Sequence, residues 1–437
     1  MSVNGDLAVE ARRNRESIVI SWICVGLGSC WRSLDFPPPG RFEREPGLLV
    51  FQCNPLKPLD TCSQLAMPLL VIYNPVCGDS TAEQFFNAHV IPRLHTASRI
   101  PTKIIRTRGP GDAGMEVLSF LNRYKGDITV VLGSGDGTLH EIVNHCLTIA
   151  TDAHDQSSRA IRFVLVPCGT ANALYASLFR PTPPQEAVAY KLRSLEVFLG
   201  ASTSRPLTLS LTSLVGPYLG RGNYQAVASI VVTSTALHAA ILKDSEKLRR
   251  EIPGIERFKV AAQQNITKWY ASHVKLLPIP STGVVHAYDP RKGEFVAPSD
   301  SNESDSSLDV HGPFAYFLST VNVDRLEPEF RINPMMSKSP PTDASIDVVM
   351  VRPQRDPTFT LDTPKAREKF AEKIVTVLTT AYQDGIHINL RYSQNGGIIQ
   401  SGDGNAVVEC FRCGGWEWIP VRCFCSCLLK ATDAPQG

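Results

Sequence analysis

The stretch 130-VVLGSGDGTLHEIVNHCL-147 decides how the rest of the chain is read. Its apolar run ends in a turn with glycines at 133, 135 and 137. An amphipathic pattern follows at once, with Leu139, Ile142, Val143, Cys146 and Leu147 at i, i+3, i+4, i+7 and i+8. The reading is strand, glycine turn, helix. The turn is not G-x-x-x-x-G-K-[ST], since no lysine follows, and not G-x-G-x-x-G, since Thr138 holds the third glycine position. Glycines at a helix N-terminus let a phosphate approach the backbone amides closely. Asp136 would repel that phosphate, which leaves two readings of it. It is either a base that takes the proton of a hydroxyl undergoing phosphorylation, or a turn and capping residue. On this motif alone both stay open.

Similar units flank the turn. Upstream, 69-LLVIY-73 is a short apolar strand ending in 74-NPVCGDS-80, with a helix expected from Thr81. Then come 103-KIIRT-107, a GPG turn, a helix over 113–124 and the strand 128-ITVVL-132. Downstream, 161-IRFVLV-166 ends in 167-PCGTANAL-174. Continuous apolar strands alternating with helices predict a parallel sheet covered on both faces, whose ligand loops lie at the carboxyl ends of the strands. The polar loops fall at those ends.

After about residue 205 the pattern changes to short β-branched runs, 207-LTLSL-211, 226-AVASIVVTS-234, 314-FAYFLSTV-321 and 346-IDVVMV-351, which predict antiparallel sheets. A helix over 364–383 is expected, with Thr363 as N-cap and Pro364 at its first position. The acidic, serine-rich 298-PSDSNESDSSLD-309 has too few apolar residues to pack. The expected organisation is an N-terminal extension over 1–66, an α/β domain with a parallel sheet over 67–205 and a largely antiparallel β-sandwich domain over 206–430, with a disordered insert at 289–312.

A chain of 437 residues suits two domains, and 44 basic against 42 acidic residues give a net charge of +2. No global field or like-charge tail points to nucleic acid. The longest N-terminal apolar run, 18-IVISWICVGLG-28, is shorter than the ~20 residues of a membrane helix. Glu10 and Glu16 argue against a signal peptide, so a buried strand or edge-packing segment is expected there. Twelve cysteines are spread without a disulfide rhythm, which fits reduced thiols in the cytosol. The groups 410-CFRC-413 and 423-CFCSC-427 permit a zinc site by spacing but match no standard finger. Buried thiols on closing strands are the plainer expectation.

Taken together, the loops resemble those of the diacylglycerol-kinase-like lipid kinases and, within them, the sphingosine (long-chain-base) kinases. Asn74, Pro75 and Gly78 match an NPxxG loop, 133-GSGDGTLHEIVN-144 matches a glycine–Asp–glycine turn and helix, and 167-PCGTANAL-174 matches P-x-G-[ST]-x-N-A. The resemblance runs from about Met67 to Arg352, weakly on to Asn405, and misses the first 66 residues. It implies that Asp136 is the base for a lipid's primary hydroxyl. Gly133, Ser134, Gly135, Gly137 and Thr138 would cradle ATP phosphates. Asn74, Pro75, Gly78, Thr107, Gly169 and Thr170 would line the nucleotide site. For Glu141 and Asn144, helix-packing contacts are as good a reading as a direct role.

The segment 245-SEKLRR-250 with 257-RF-258 resembles a sphingosine kinase stretch whose basic residues meet ATP phosphates, with two extra residues here. One anchoring selects Arg249 and puts Leu242 at the family's substrate-recognising Asp; the other selects Arg257 and lets Asp244 supply that acid. The second glycine–Asp–glycine, 401-SGDGN-405, falls where the family has Asp-Gly-Glu for Mg²⁺ and nucleotide, leaving Asp403 as metal ligand and Asn405 in place of the second carboxylate. The resemblance thus implies an ATP- and Mg²⁺-using kinase of a sphingoid base. Diacylglycerol or ceramide kinase, or a catalytically weak lipid- or nucleotide-binding relative, are the alternatives. A cytoplasmic protein that docks on membranes transiently is expected, and a homodimer is compatible with this reading.

Overall fold

The computed structural model describes residues 18–25, 67–124, 126–150, 160–181, 187–200, 204–215, 226–297, 307–341 and 343–421. The first strand, β1 (Ile18–Val25), precedes an α/β unit. In that unit β2 (Leu69–Tyr73) leads to a helix α1 with a π-helical middle, made of Ala82–Phe85, Phe86–Val90 and Ile91–Thr96. Next come β3 (Lys103–Arg106), α2 (Asp112–Arg123), β4 (Ile128–Ser134) and α3 (Asp136–Ala150). Then follow β5 (Ile161–Pro167), α4 (Ala173–Leu178) and α5 (Ala187–Leu199). The four strands form a parallel sheet in the order β3-β2-β4-β5. Both faces of β2 and β4 are buried, which explains their unbroken apolar runs. One face packs on α2 and α3 through Val117, Leu139 and Ile142, the other on α1 and α5 through Phe86, Leu94 and Leu195.

The rest is two antiparallel six-stranded sheets. Their strands are β6 (Thr208–Val215), β7 (Ala226–Ser229), β8 (Val232–Thr235), β9 (Ser272–Leu277), β10 (His286–Asp289), β11 (Glu294–Val296), β12 (Leu308–His311), β13 (Tyr316–Thr320) and β14 (Ile346–Val351). After the short pair β15 (Arg391–Tyr392) and β16 (Ile398–Ile399), β17 (Glu409–Cys413) and β18 (Gly415–Pro420) complete them. The orders are β12-β9-β18-β1-β6-β7 and β11-β10-β17-β14-β13-β8. Phe314, Phe317, Val348, Met350, Trp416 and Trp418 fill the space between the sheets. On the outer face of the second sheet, Leu318, Val349 and Cys410 share a core with Phe370, Ile374 and Val377 of a long helix, Pro364–Ala381. Its cap is the expected one, Thr363 Oγ1 accepting the Ala366 N–H at 3.1 Å.

Two expectations change and a third is narrowed. Of the two readings of the apolar run at 18–25 the strand holds and the edge does not: β1 lies inside the first sheet, between β18 and β6, so the span expected as an N-terminal extension supplies an interior strand of that sheet. The run 226–234 is two strands in different sheets, because the chain crosses from one layer to the other between Ser229 and Val232. The insert 289–312 is not disordered throughout. The stretches Glu294–Val296 and Leu308–His311 pair with β10 and β9, and Val310 is buried; the polar composition is confined to the stretch between them. Residues 298–306, like Cys423, Cys425 and Cys427, lie outside the described residues. Cys410 and Cys413 are free and buried on β17. Among the described residues no helix is long and apolar enough to cross a membrane.

Candidate functional site

Strand order locates the site. The chain passes from β2 to its neighbour β3 on one side, then back to β4 and β5 on the other, so the crevice where the order reverses opens beyond the carboxyl ends of β2 and β4. Those ends carry the NPVCG and SGDG loops, and the end of β5 carries PCGTAN. The Asn74 N–H donates to Gly133 O at 2.9 Å and the Cys168 N–H to Ser134 O at 3.2 Å, so the sheet ladder leads the three loops into contact.

The glycines divide by role. A Cβ on Gly133 would lie 2.1 Å from the Phe86 ring, so this glycine admits the α1 aromatic to the sheet. Gly78, at φ +53°, brings the first loop onto the third: its Cβ would lie 2.3 Å from Cys168 O. A Cβ on Gly169 would sit 2.5 Å from the Gly135 Cα. Only Gly137 of the SGDG turn faces open space, with nothing within 4 Å of its Cβ position. Gly169→Ala should therefore force two backbones apart, at a cost of about 1–3 kcal/mol in thermal unfolding. Gly137→Ala should keep or raise stability, since glycine in a helix costs about 0.5–1 kcal/mol relative to alanine. A destabilised Gly137→Ala protein would show that the open approach is occupied by the chain itself.

Asp136 opens α3 and reaches across to α4. Its two carboxylate oxygens accept the Ala173 N–H at 2.7 Å and the Leu174 N–H at 3.1 Å. It thus caps the first turn of another helix. Burial pushes its carboxyl above the usual range, and the amide hydrogen bonds only partly offset this. An ionised carboxylate has about four acceptor positions, so this capping leaves capacity for another donor. Beside it lies a cavity of about 20 Å³, enough for one water, lined by Ser134, Asn172 and Tyr175 among others. Any ligand larger than a water must therefore lie outside this cavity.

The remaining residues separate cleanly. Ser134 Oγ and Thr138 Oγ1 bond to each other at 2.5 Å. Thr107 is buried and its N–H donates to Tyr73 O at 3.0 Å, while Pro75 and Asn74 shape an Asx turn in which Asn74 Oδ1 accepts the Val76 N–H at 3.1 Å. Glu141 Oε1 accepts the Gly114 N–H at 3.4 Å, and Asn144 clamps Ala228 of β7 by its N–H and C=O, both at 2.8 Å. Both act in packing, the second between the domains. Asn172, at φ +53° and bonded to the Gly169 N–H and C=O at 2.9 and 2.8 Å, closes the third loop. Sequence reasoning assigned it no role, although asparagine is among the few residues suited to that backbone region.

The two arginines lie at the helices Ala236–Leu248 and Glu256–Asn265. Arg257 is 7% exposed; its Nη2 lies 3.5 Å from Thr170 Oγ1, its Nη1 donates to Gly254 O, and its Nε is buried without a partner. Burial foremost, then the Arg249 charge, lowers its pKa. Arg249 is exposed and paired with Glu246 at 3.0 Å. By contact, then, the anchoring on Arg257 is the one that meets the third loop. Asp244 is engaged by Lys247 at 2.7 Å and by Asn265 at 2.9 Å; the Lys247 hydrogen bond, foremost, holds its carboxyl below the usual range.

Asp403 faces Arg291, in the turn between β10 and β11. Its carboxylate is 97% exposed and lies 3.4 Å from Arg291, while Asn405 Nδ2 donates to the Arg355 carbonyl at 3.1 Å. Glu409, the next acid, is committed to Arg352 through two bonds of 2.7 Å. Among the described residues no group of three or more His, Cys, Asp or Glu is placed to hold a metal. The donor set at Asp403, one exposed carboxylate already facing a guanidinium, does not fit a resident Mg²⁺.

Residues 68–197 match the family model of the diacylglycerol kinase catalytic domain. Over 128 residues the chain is 30% identical to sphingoid long chain base kinase 5 of Saccharomyces cerevisiae, covering 29% of this chain and 18% of that protein. Over 120 residues it is 34% identical to sphingosine kinase B of Dictyostelium discoideum, covering 27% of this chain and 15% of that one. The matched stretch thus spans under a fifth of either relative. Among solved structures, a diacylglycerol kinase from Bacillus anthracis aligns with a TM-score of 0.40 and 14% identity over 79% of this chain and 83% of that chain. Residues 68–197, with their three strand-end loops, thus match the diacylglycerol kinase catalytic domain and are similar in sequence to part of two sphingoid-base kinases.

Proposed function

We propose that the protein phosphorylates the primary hydroxyl of a sphingoid base with ATP. The observation that carries this is the convergence, at one switch point, of three loops with a carboxylate and a buried arginine. ATP phosphates lie over the open side of Gly137 and within reach of Arg257, whose unpartnered Nε–H suits a phosphate oxygen. Asp136 accepts the hydroxyl proton as the oxygen attacks the γ-phosphate, and its raised pKa makes it a better base than an exposed carboxylate. Residues 67–205 supply the nucleotide side and the sandwich the lipid side. Asp244 is the candidate for a lipid amine, which would replace Lys247 as its partner. The lipid is reached by transient docking on a membrane.

The place of Asp403 and the capping role of Asp136 favour a second reading, a lipid- or nucleotide-binding relative with little turnover. Incubation with radiolabelled ATP, Mg²⁺ and mixed micelles of sphingosine, phytosphingosine, ceramide or diacylglycerol, followed by lipid chromatography, separates the two. Labelled sphingoid phosphate is expected. Label in diacylglycerol alone would move the substrate; an ATP-induced thermal shift without labelled lipid would favour the binding protein.

A further inference from the structure

Two cysteines of the site have no part in the chemistry above. Cys77 and Cys168 come from different loops, at the ends of β2 and β5, and both are free thiols only 5% exposed. Their loops are held together by contacts that do not involve sulfur. Gly78 packs its Cα against the Cys168 carbonyl, and the Cys168 N–H is fixed on Ser134 O. The Cys77 thiol donates to Asn74 O at 2.9 Å, and both cysteines sit in one buried cluster with Tyr73, Phe86 and Val166. The pair is therefore placed by backbone packing.

We propose that Cys77 and Cys168 are a redox-sensitive dithiol, which a peroxide converts to a disulfide that fastens the first loop to the third and closes the nucleotide site reversibly. Bond formation draws the sulfurs to ~2.05 Å and turns the side chains to a narrow range of dihedrals. The loops that carry Asn74, Gly78, Gly169 and Thr170 must shift to allow it. The effect on nucleotide rests on the function proposed above; formation of the bond does not.

The chemistry balances with a peroxide as sole oxidant. The Cys77 thiolate attacks a peroxide oxygen, the O–O bond breaks, and hydroxide leaves and takes up the thiol's proton as water. The Cys77 sulfenic acid is attacked by the Cys168 sulfur; the S–O bond breaks and the oxygen departs as a second water with the Cys168 proton. Two thiols lose two electrons and one peroxide gains them. A dithiol reductant reverses the bond by exchange.

Selectivity has a physical basis. Beside Cys168 the pKa of the Cys77 thiol is lowered, against burial, while that of the Cys168 thiol is itself raised by its neighbour Cys77 and by burial. Burial alone pushes the Cys146 thiol up to about 11, and it raises Cys410 and Cys413 as well. The thiolate is the reacting species, so Cys77 is the entry point among the described cysteines. Val76 next to it is 68% exposed, which places the pair just under the surface.

The test uses the full chain. Native protein is treated with hydrogen peroxide, alkylated and digested. The expected result is a Cys77–Cys168 cross-linked peptide lighter by two hydrogens than its parts, absent after dithiothreitol. In parallel, the thermal shift given by ATP should disappear on oxidation and return on reduction, and Cys77→Ser or Cys168→Ser protein should keep it through the peroxide step. Absence of that peptide, or oxidation at Cys146 in its place, overturns the proposal. A cross-link that leaves the ATP shift intact overturns its regulatory half. No ATP shift in the reduced protein is a failure of the proposed function, and peptide mapping still decides the dithiol. Mapping needs no variant, so poor folding of either serine variant does not shelter the claim.

Discussion

Asp136→Asn is expected to cut sphingoid-base phosphorylation by about 10²–10⁴-fold, the usual worth of a positioned base. The amide keeps the shape of the side chain but cannot take a proton, so ATP binding, read by thermal shift, should survive. Because both oxygens serve as acceptors for Ala173 and Leu174, asparagine also turns an N–H₂ toward one backbone N–H. An unpaired buried donor costs about 1–3 kcal/mol, partly offset by removal of a desolvated charge.

The sign of the pH dependence follows from the raised pKa. A carboxyl that holds its proton more tightly folded than unfolded favours the native state at low pH. That contribution is lost as pH rises from the unfolded value through the folded one. The difference in stability between wild type and Asp136→Asn should therefore be widest in acid and narrow toward neutrality. Activity should run the other way, falling in acid as the base is protonated. Wild-type turnover by the asparagine variant would remove Asp136 from the chemistry and leave it the cap of α4 alone.

Asp324→Ala is expected to be the most destabilising single change near the domain junction, at about 3–5 kcal/mol, the range for removing one partner of a buried ion pair. Asp324 is buried against Arg325 at 2.9 Å and Arg331 at 3.0 Å, both themselves buried, and Arg180 approaches from the α/β unit at 3.8 Å. Its N–H donates to Ser177 Oγ at 3.2 Å, at the last turn of α4. The helix that Asp136 caps at one end is thus tied to the sandwich at the other, so chemical denaturation should show lower stability together with weaker ATP protection. Against the cost of burial, the Arg325 and Arg331 guanidiniums hold the Asp324 carboxyl below its usual range. Its contribution is present above the unfolded pKa and lost as pH falls through the folded one. The wild-type advantage over Asp324→Ala should therefore shrink in acid, opposite to Asp136→Asn. Replacing Asp324, Arg325 and Arg331 together by Leu, Met and Met should cost less than the single change, because no unpaired charge is left inside.

Much of the α/β unit was legible because its code is local. The runs 69-LLVIY-73 and 128-ITVVL-132 are strands whatever their neighbours do, and the glycine turns after them fix where loops begin. The capping of the Pro364–Ala381 helix was equally local. The sandwich was less legible. Nothing near Ile18 says that Ile18–Val25 pairs with Trp418 on one side and Leu214 on the other, since those partners lie hundreds of residues away. The division of 226–234 between two sheets depends on which layers flank it, again a non-local fact. Glu141 and Asn144 show the same limit at the site, because their partners Gly114 and Ala228 belong to other elements.

The sequence by itself determined the parallel unit, the three strand-end loops and the candidates Asp136 and Gly137, because periodicity and turn chemistry act within a few residues. Only the tertiary structure decided which arginine meets Thr170, that Gly133 serves Phe86, that Asp136 holds α4, and that Asp403 faces Arg291. Those outcomes are set by close packing and by the pairing of charges distant in the chain, and neither leaves a mark on local sequence.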